Sequence, residues 1–330
     1  MNTAELVTPA LLVEADTLAA NLFTMSEALP GPRLRPHVKA HKCTALAARQ
    51  SALGHEGFTC ATIAEMEGMA RAGLGDDLLL ANEVADAARL GALARRGARV
   101  TVAVDSEPTV EAAAAAGVEE VVIDVNVGLP RCGCRPEDAG RLADAARRRG
   151  MAVRGVMGYE GHVVGLEDRA VRVQQVEVAM GLLMRAHELV GGELVSAGGT
   201  GTYDINRWAT EIQAGSYALM DTAYDKLDLP FNQALFVLAT VISVSTGWAV
   251  ADCGLKALGM DHGNPSVRDG TVLFCSDEHV TFVPDHELGV GDRIRVVPAH
   301  VDPTVAYHER MHVVDGDDVL DTWDVDLRGW

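Results

Sequence analysis

Arg99-Val100-Thr101-Val102-Ala103-Val104-Asp105, an alanine run at 112–116 and Glu119-Glu120-Val121-Val122-Ile123-Asp124-Val125-Asn126 follow one another along the chain. The flanking runs are short, apolar and β-branched, as buried parallel strands should be, and the alanines read as a helix face packed closely against a strand. The same texture continues in both directions. Strand-like runs lie at 33–39, 57–63, 77–82, 152–158, 194–200 and 212–220, with amphipathic segments such as 64–72, 84–96 and 135–149 between them. Eight strands in series over about 210 residues predict a (β/α)8 TIM barrel, hence an α/β fold. A doubly wound sheet is the competitor, but no G-x-G-x-x-G follows the first strand.

After Asp225 the texture changes. Runs at 234–245, 248–253, 271–275, 279–283, 293–298 and 308–314 read as strands separated by Gly, Asp and Pro turns, and helical periodicity nearly vanishes. The expected organisation is a barrel over 1–225 and a C-terminal all-β domain over 226–330, with the first few residues free to join the β-domain.

At 330 residues and 48% hydrophobic, the chain can bury a large core. No apolar run approaches the roughly 20 residues that cross a bilayer, and residues 1–6 carry neither a basic region nor an apolar signal core. A cytoplasmic location without a membrane partner is therefore expected. A formal charge of −19 argues against a nucleic-acid partner, whose phosphates would be repelled. Of the six cysteines only Cys132 and Cys134 are close, and their spacing matches neither a zinc ribbon nor a redox pair, so reduced thiols are expected.

Barrel enzymes react at the C-terminal ends of their strands, and their phosphate sites favour the loops after strands seven and eight. Lys39 ends the first predicted strand, within Arg35-Pro36-His37-Val38-Lys39-Ala40-His41-Lys42. Arg131 follows the fifth, in Gly128-Leu129-Pro130-Arg131-Cys132-Gly133, and Tyr159 and His162 follow the sixth, in Gly158-Tyr159-Glu160-Gly161-His162. Gly198-Gly199-Thr200-Gly201-Thr202 follows the seventh, and Gly215-Ser216-Tyr217 lies near the eighth. Glycines let backbone N–H groups approach phosphate oxygens, and threonine hydroxyls add donors. No Walker lysine accompanies the loop, so nucleotide hydrolysis is not indicated. Burial and the neighbouring His37, His41 and Lys42 should both favour the neutral amine of Lys39, the form that condenses with an aldehyde. An imine-forming lysine with a phosphate cradle points to pyridoxal 5′-phosphate (PLP). In the second domain, His300-Val301-Asp302 puts an imidazole and a carboxylate on one face if the stretch is extended, a competent pair for Mn²⁺, Mg²⁺ or Zn²⁺. Such a pair is also common on surfaces, and His279, His308 and His312 read mostly as structural.

At these residues the sequence resembles the D-threonine aldolase and D-serine dehydratase family, the metal-assisted branch of the alanine-racemase-like (fold type III) PLP enzymes. The resemblance starts at Thr8-Pro9-Ala10-Leu11-Leu12-Val13, similar to the family's opening strand, and runs through the Lys39 octapeptide, Thr59-Cys60-Ala61-Thr62 and the two loops at 128–133 and 198–202. It closes with Asp252-Cys253-Gly254-Leu255-Lys256, Ser276-Asp277-Glu278-His279 and Pro298-Ala299-His300-Val301-Asp302-Pro303-Thr304. It implies a homodimer in which Lys39 is the Schiff-base lysine and Arg131 lies near the cofactor's ring oxygen. By the same resemblance Gly199, Thr200, Gly201, Gly215 and Ser216 hold the phosphate with Tyr217 beside them, His300 and Asp302 bind the metal, and Tyr159 is an active-site tyrosine. The implied reaction is retro-aldol cleavage of D-3-hydroxy amino acids to glycine and an aldehyde. D-serine or 3-hydroxyaspartate dehydration at the same site is the alternative, and a non-catalytic PLP carrier is an alternative of another class.

Two departures stand out. The dehydratase branch usually has His-x-Cys at the metal, whereas this chain has His-x-Asp, as aldolases do; a carboxylate is harder than a thiolate and favours Mn²⁺ or Mg²⁺ over zinc. The aldolases carry a histidine several residues further past the tyrosine, where this chain has Val163-Val164-Gly165; His162, three residues past Tyr159, or a metal-bound hydroxide is then the candidate base.

Overall fold

The computed structural model describes residues 1–268 and 270–330. The chain divides into two compact units. One comprises Met25–Lys39, Leu46–Gly215 and Leu327–Trp330, the other Met1–Thr24, Ala40–Ala45 and Ser216–Asp326. The expected division after residue 225 falls inside the second unit.

In the first unit seven parallel strands pair in sequence order: Phe58–Cys60, Leu78–Leu80, Val100–Val104, Glu120–Asp124, Ala152–Gly158, Leu194–Ala197 and Glu211–Ile212. Nearly all of their residues are buried, which explains the runs of Val, Leu and Ile without polar alternation. Residues 34–37 bring the two edges together. Leu34 bridges Ile212 and His37 bridges Thr59, both in parallel. Arg35 N–H donates to Ile212 O at 2.9 Å, His37 N–H to Ala214 O at 3.1 Å, and Thr59 N–H to Pro36 O at 2.9 Å. The barrel predicted from eight strands is present, but its first strand is shorter than 33–39. Turns of 3-10 helix at Gly31–Arg33 and Val38–Ala40 flank it, and Pro36 has no N–H with which to extend a ladder. The eighth strand also shrinks, from 212–220 to Glu211–Ile212.

The helices form where caps and small residues allow. Thr62 and Glu65 make a reciprocal capping box on Ile63–Arg71, and Asp168 accepts the N–H groups of Ala170 and Val171 at the start of Arg169–Val190. The alanine run lies in Glu107–Ala116, which turns only Val110 and Ala113 fully inward. Its end is approached by Gly91 of the helix Ala88–Ala94, where a Cβ would stand 1.8 Å from the Ala116 carbonyl oxygen.

An ion-pair network crosses the N-terminal ends of the strands. Asp77 accepts from Arg35 Nη2 at 2.8 Å and from Arg154 Nη1 at 2.7 Å. Arg35 Nε also reaches Glu211 at 2.8 Å, and Ser196 Oγ donates to the same carboxylate at 2.6 Å. Both arginines are buried. Burial alone would raise the Asp77 carboxyl, yet the hydrogen bonds and charges of Arg154 and Arg35 bring it down to about 2.

The second unit takes its first strand from the N-terminus. Ala10–Glu14 runs antiparallel to Leu235–Ser245 and parallel to Arg310–Asp315. Leu235–Ser245 pairs on its other register with both Trp248–Ala251 and Arg293–Val297, which closes a six-stranded antiparallel barrel through Val280–Pro284, Gly270–Cys275 and Ser266–Val267. Alternate residues Val237, Ala239 and Val241 point into its interior with no exposure. The β-domain expected after residue 225 is present as this antiparallel barrel, with a short helix beside it. A helix spans Val301–Tyr307, with Pro303 in its first turn where a missing N–H costs nothing, and a strand at Asp318–Asp324 adds to those expected. Among the described residues no helix is long and apolar enough to cross a membrane.

Candidate active site

The parallel strands all end on one side of the barrel unit, and the predicted residues Lys39, Arg131, Tyr159, His162, Gly199, Thr200, Gly201 and Gly215 fall there. Lys39 is half-buried in the 3-10 turn that follows the closing segment. Beside that segment the hydroxyl of Thr59 is buried without a hydrogen-bond partner among the described residues. The Arg131 guanidinium lies over the Tyr159 ring, 5.4 Å from its centroid, and the Gly199 Cα faces the other edge of that ring, where a Cβ would stand 3.6 Å from Cε2. His162 is exposed and packs on Gly128, whose φ of 129° and missing side chain leave room for the imidazole: a Cβ would lie 2.7 Å from His162 Cε1.

Glu160, between the tyrosine and the histidine, was not singled out by sequence. It is fully buried and accepts three hydrogen bonds: from Gly198 N–H at 3.1 Å, Thr202 Oγ1 at 3.0 Å and Asn206 Nδ2 at 3.1 Å. Burial pushes its carboxyl up, while these donors oppose the rise. One side chain thus fixes the glycine-threonine loop to the segment carrying Tyr159 and His162. Gly201 completes the turn by backbone contact, since a Cβ there would stand 1.9 Å from Val164 O. Replacing Glu160 by alanine strands three buried donors. The expected loss is about 3–5 kcal/mol, read as a lower urea midpoint at unchanged slope; a midpoint equal to the parent's would refute this role.

An acidic pair occupies the same side. Burial, followed by the neighbouring Glu83 carboxylate, raises the Asp124 carboxyl well above the carboxylate range. A hydrogen bond to Glu83, with burial, pushes the Cys132 thiol up to about 12, and burial beside Asp124 does the same for Cys134. Both thiols stay protonated, which suits neither a nucleophile nor a thiolate ligand.

In the second unit His300 and Asp302 come together by a route other than an extended strand. His300 is the extended N-cap residue (φ −144°, ψ 120°) and Asp302 sits in the first helical turn. His300 Nε2 nonetheless stands 3.9 Å from Asp302 Oδ1. Buried Asp221 accepts the Val301 N–H between them at 2.9 Å, and Ser216 Oγ donates to Asp302 at 3.5 Å. Tyr217 is wholly buried, tilted against Phe231 with ring centroids 5.7 Å apart. His308 Nε2 lies 2.9 Å from Ala257 O, and His312 Nδ1 2.9 Å from Thr322 Oγ1, as structural histidines would.

Residues 13–222 match the alanine racemase N-terminal domain. The chain belongs to that family. Residues 234–314 match a putative serine dehydratase domain. The 3-hydroxy-D-aspartate aldolase of Paracoccus denitrificans (strain Pd 1222) is 34% identical, with the match covering 100% of this chain and 94% of that protein. The D-threonine aldolase structure from Filomicrobium marinum superposes with a TM-score of 0.92 at 35% identity, over 98% of this chain and 96% of that one. D-threo-3-hydroxyaspartate dehydratase from Delftia sp. HT23 has a TM-score of 0.90 at 26% identity, with all of both chains covered. The alanine-racemase-like, fold type III architecture expected from the Lys39 octapeptide is the one this chain adopts.

Proposed function

We propose that this chain is a PLP- and divalent-metal-dependent lyase of the D-threonine aldolase type, cleaving D-3-hydroxy amino acids to glycine and an aldehyde as a cytoplasmic homodimer. The observation that carries the reading is the His300–Asp302 pair: an imidazole nitrogen and a carboxylate oxygen 3.9 Å apart leave room for an ion about 2.1 Å from each. The hard carboxylate suits Mn²⁺ best, with Mg²⁺ and Zn²⁺ also accommodated. For the organic cofactor, the half-buried amine of Lys39 and the buried hydroxyl of Thr59 offer the right donors at the end of the closing segment.

PLP, when bound, supplies an electron sink for the pair left at Cα. Lys39 would carry it. Gly199, Thr200, Gly201, Gly215 and Ser216 would hold its phosphate, with Tyr217 beside them, and Arg131, steadied on the Tyr159 ring, would serve its ring oxygen. His300 and Asp302 would hold the divalent ion, which when bound would supply Lewis acidity toward the substrate β-hydroxyl. His162, exposed and free of strand pairing, accepts that hydroxyl proton.

Purified protein incubated with PLP, Mn²⁺ and D-threonine should give glycine and acetaldehyde in equal amounts, and a chelator should abolish turnover while the cofactor absorption persists. Formation of 2-oxobutyrate and ammonia instead would make the chain a dehydratase, the reading favoured by its likeness to the Delftia enzyme. Cofactor binding with no turnover on any D-3-hydroxy amino acid would make it a carrier.

A further inference from the structure

The turn at 259–262, ahead of the strand Ser266–Val267, is seated on His300 by backbone and side chain together. Gly259 bridges His300 in antiparallel fashion, and a Cβ on Gly259 would stand 2.4 Å from Pro303 Cγ and 2.7 Å from His300 O, so only glycine permits this approach. Gly259 N–H donates to Thr304 Oγ1 at 2.8 Å, and Thr304 Oγ1 donates to His300 O at 2.7 Å. The next residues of the turn then reach the imidazole. His300 Nδ1 lies 2.9 and 2.8 Å from the two carboxylate oxygens of Asp261. The His262 ring stacks on the His300 ring, with centroids 3.9 Å apart and planes 13° from parallel.

Asp261, His262 and His300 each bring one ligand-type atom within 4.8 Å of the others. Two details argue against a single ion bound by all three. Asp261 accepts from Nδ1, so the nitrogen left with a lone pair for an ion is Nε2, on another edge of the ring and on the Asp302 side. Stacked imidazoles, moreover, have lone pairs in parallel planes, which do not converge on one ion about 2.1 Å from both.

We propose that Asp261 and His262 are positioning residues for the metal ligand His300: Asp261 fixes the Nδ1–H tautomer and the ring direction, and His262 covers the ring face. The proposal rests on the metal-dependent reading above. Partners of this kind typically change metal affinity 10–100-fold.

The test is Mn²⁺ titration followed by the electron paramagnetic resonance of the free ion, with spin-echo modulation to count bound imidazoles and circular dichroism to verify folding. Asp261→Ala should weaken Mn²⁺ binding about 10–100-fold, and Asp261→Asn, whose amide oxygen still accepts from Nδ1, by less than about 10-fold. His262→Phe, which keeps the stack without a lone pair, should bind within about three-fold of the parent and show one imidazole coupling, as the parent does. Parent-like affinity in folded Asp261→Ala, with binding lost in His300→Ala, would overturn the proposal and leave the metal reading intact. Two imidazole couplings in the parent, or loss in His262→Phe as complete as in His300→Ala, would make His262 a ligand and overturn its positioning role. Parent-like binding in His300→Ala would remove the metal reading itself.

Discussion

Lys39→Ala is expected to abolish the near-ultraviolet-to-visible absorption of the PLP-loaded protein and to lower D-threonine turnover at least about 10⁴-fold, because covalent attachment and proton transfer are lost together. The position supports a large effect with little structural cost. Lys39 is half-buried at the mouth of the barrel unit, directly after the segment whose Arg35, Pro36 and His37 backbone groups close the sheet. An alanine there removes the amine and leaves those backbone bonds in place, so the melting temperature should stay close to the parent's. Full activity in Lys39→Ala would sink the PLP reading outright. A variant that fails to fold would instead mean that the side chain is needed for closure, and Lys39→Arg, matched in length and charge but unable to carry the cofactor, separates the two by folding without turnover.

Asp77→Ala should cost about 3–5 kcal/mol, the usual loss when one member of a buried ion pair is deleted and its partners stay buried. Arg35 and Arg154 are only 4% and 7% exposed at their side chains, and each loses a 2.7–2.8 Å bond in that variant. For a unit of this size the melting temperature should fall by roughly 6–20 °C. The same group sets an acid limit. Its folded-state carboxyl sits at about 2, below its ordinary 3.8, so its stabilisation is complete above that ordinary value and is lost as the pH falls through about 2. Urea midpoints at pH 5 and pH 2.5 should therefore differ more for the parent than for Asp77→Ala. Equal differences would show that the network contributes nothing specific at that carboxyl.

Much of the fold was legible because buried parallel strands advertise themselves as runs of Val, Leu and Ile without polar alternation, as at Leu78–Leu80 and in the middle of Glu120–Asp124. Boundaries failed where a single residue outweighs its neighbours. Pro36 confines the first strand to bridges at Leu34 and His37, and beyond Ile212 the chain leaves the sheet for the 3-10 turn at Ser216–Ala218. The helix Val301–Tyr307 was missed because its seven residues give too short a period to detect. At the candidate site the reactive types could be placed by the rule that barrel chemistry gathers after the strands. Their supports could not. Glu160 finds Gly198, Thr202 and Asn206 across 38 to 46 residues, and Asp261 finds His300 across 39, distances over which local sequence carries no pairing signal.

The strand Ala10–Glu14 lies between Leu235–Ser245 and Arg310–Asp315. On the ribosome, then, this strand emerges long before either of its neighbours. While the intervening chain emerges, its apolar Ala-Leu-Leu-Val stretch has both edges open, the state most prone to pairing with a stranger. A fragment starting at residue 226 would meet the converse difficulty: its Leu235–Ser245 and Arg310–Asp315 strands would face a vacant slot that only the chain's first two dozen residues can fill.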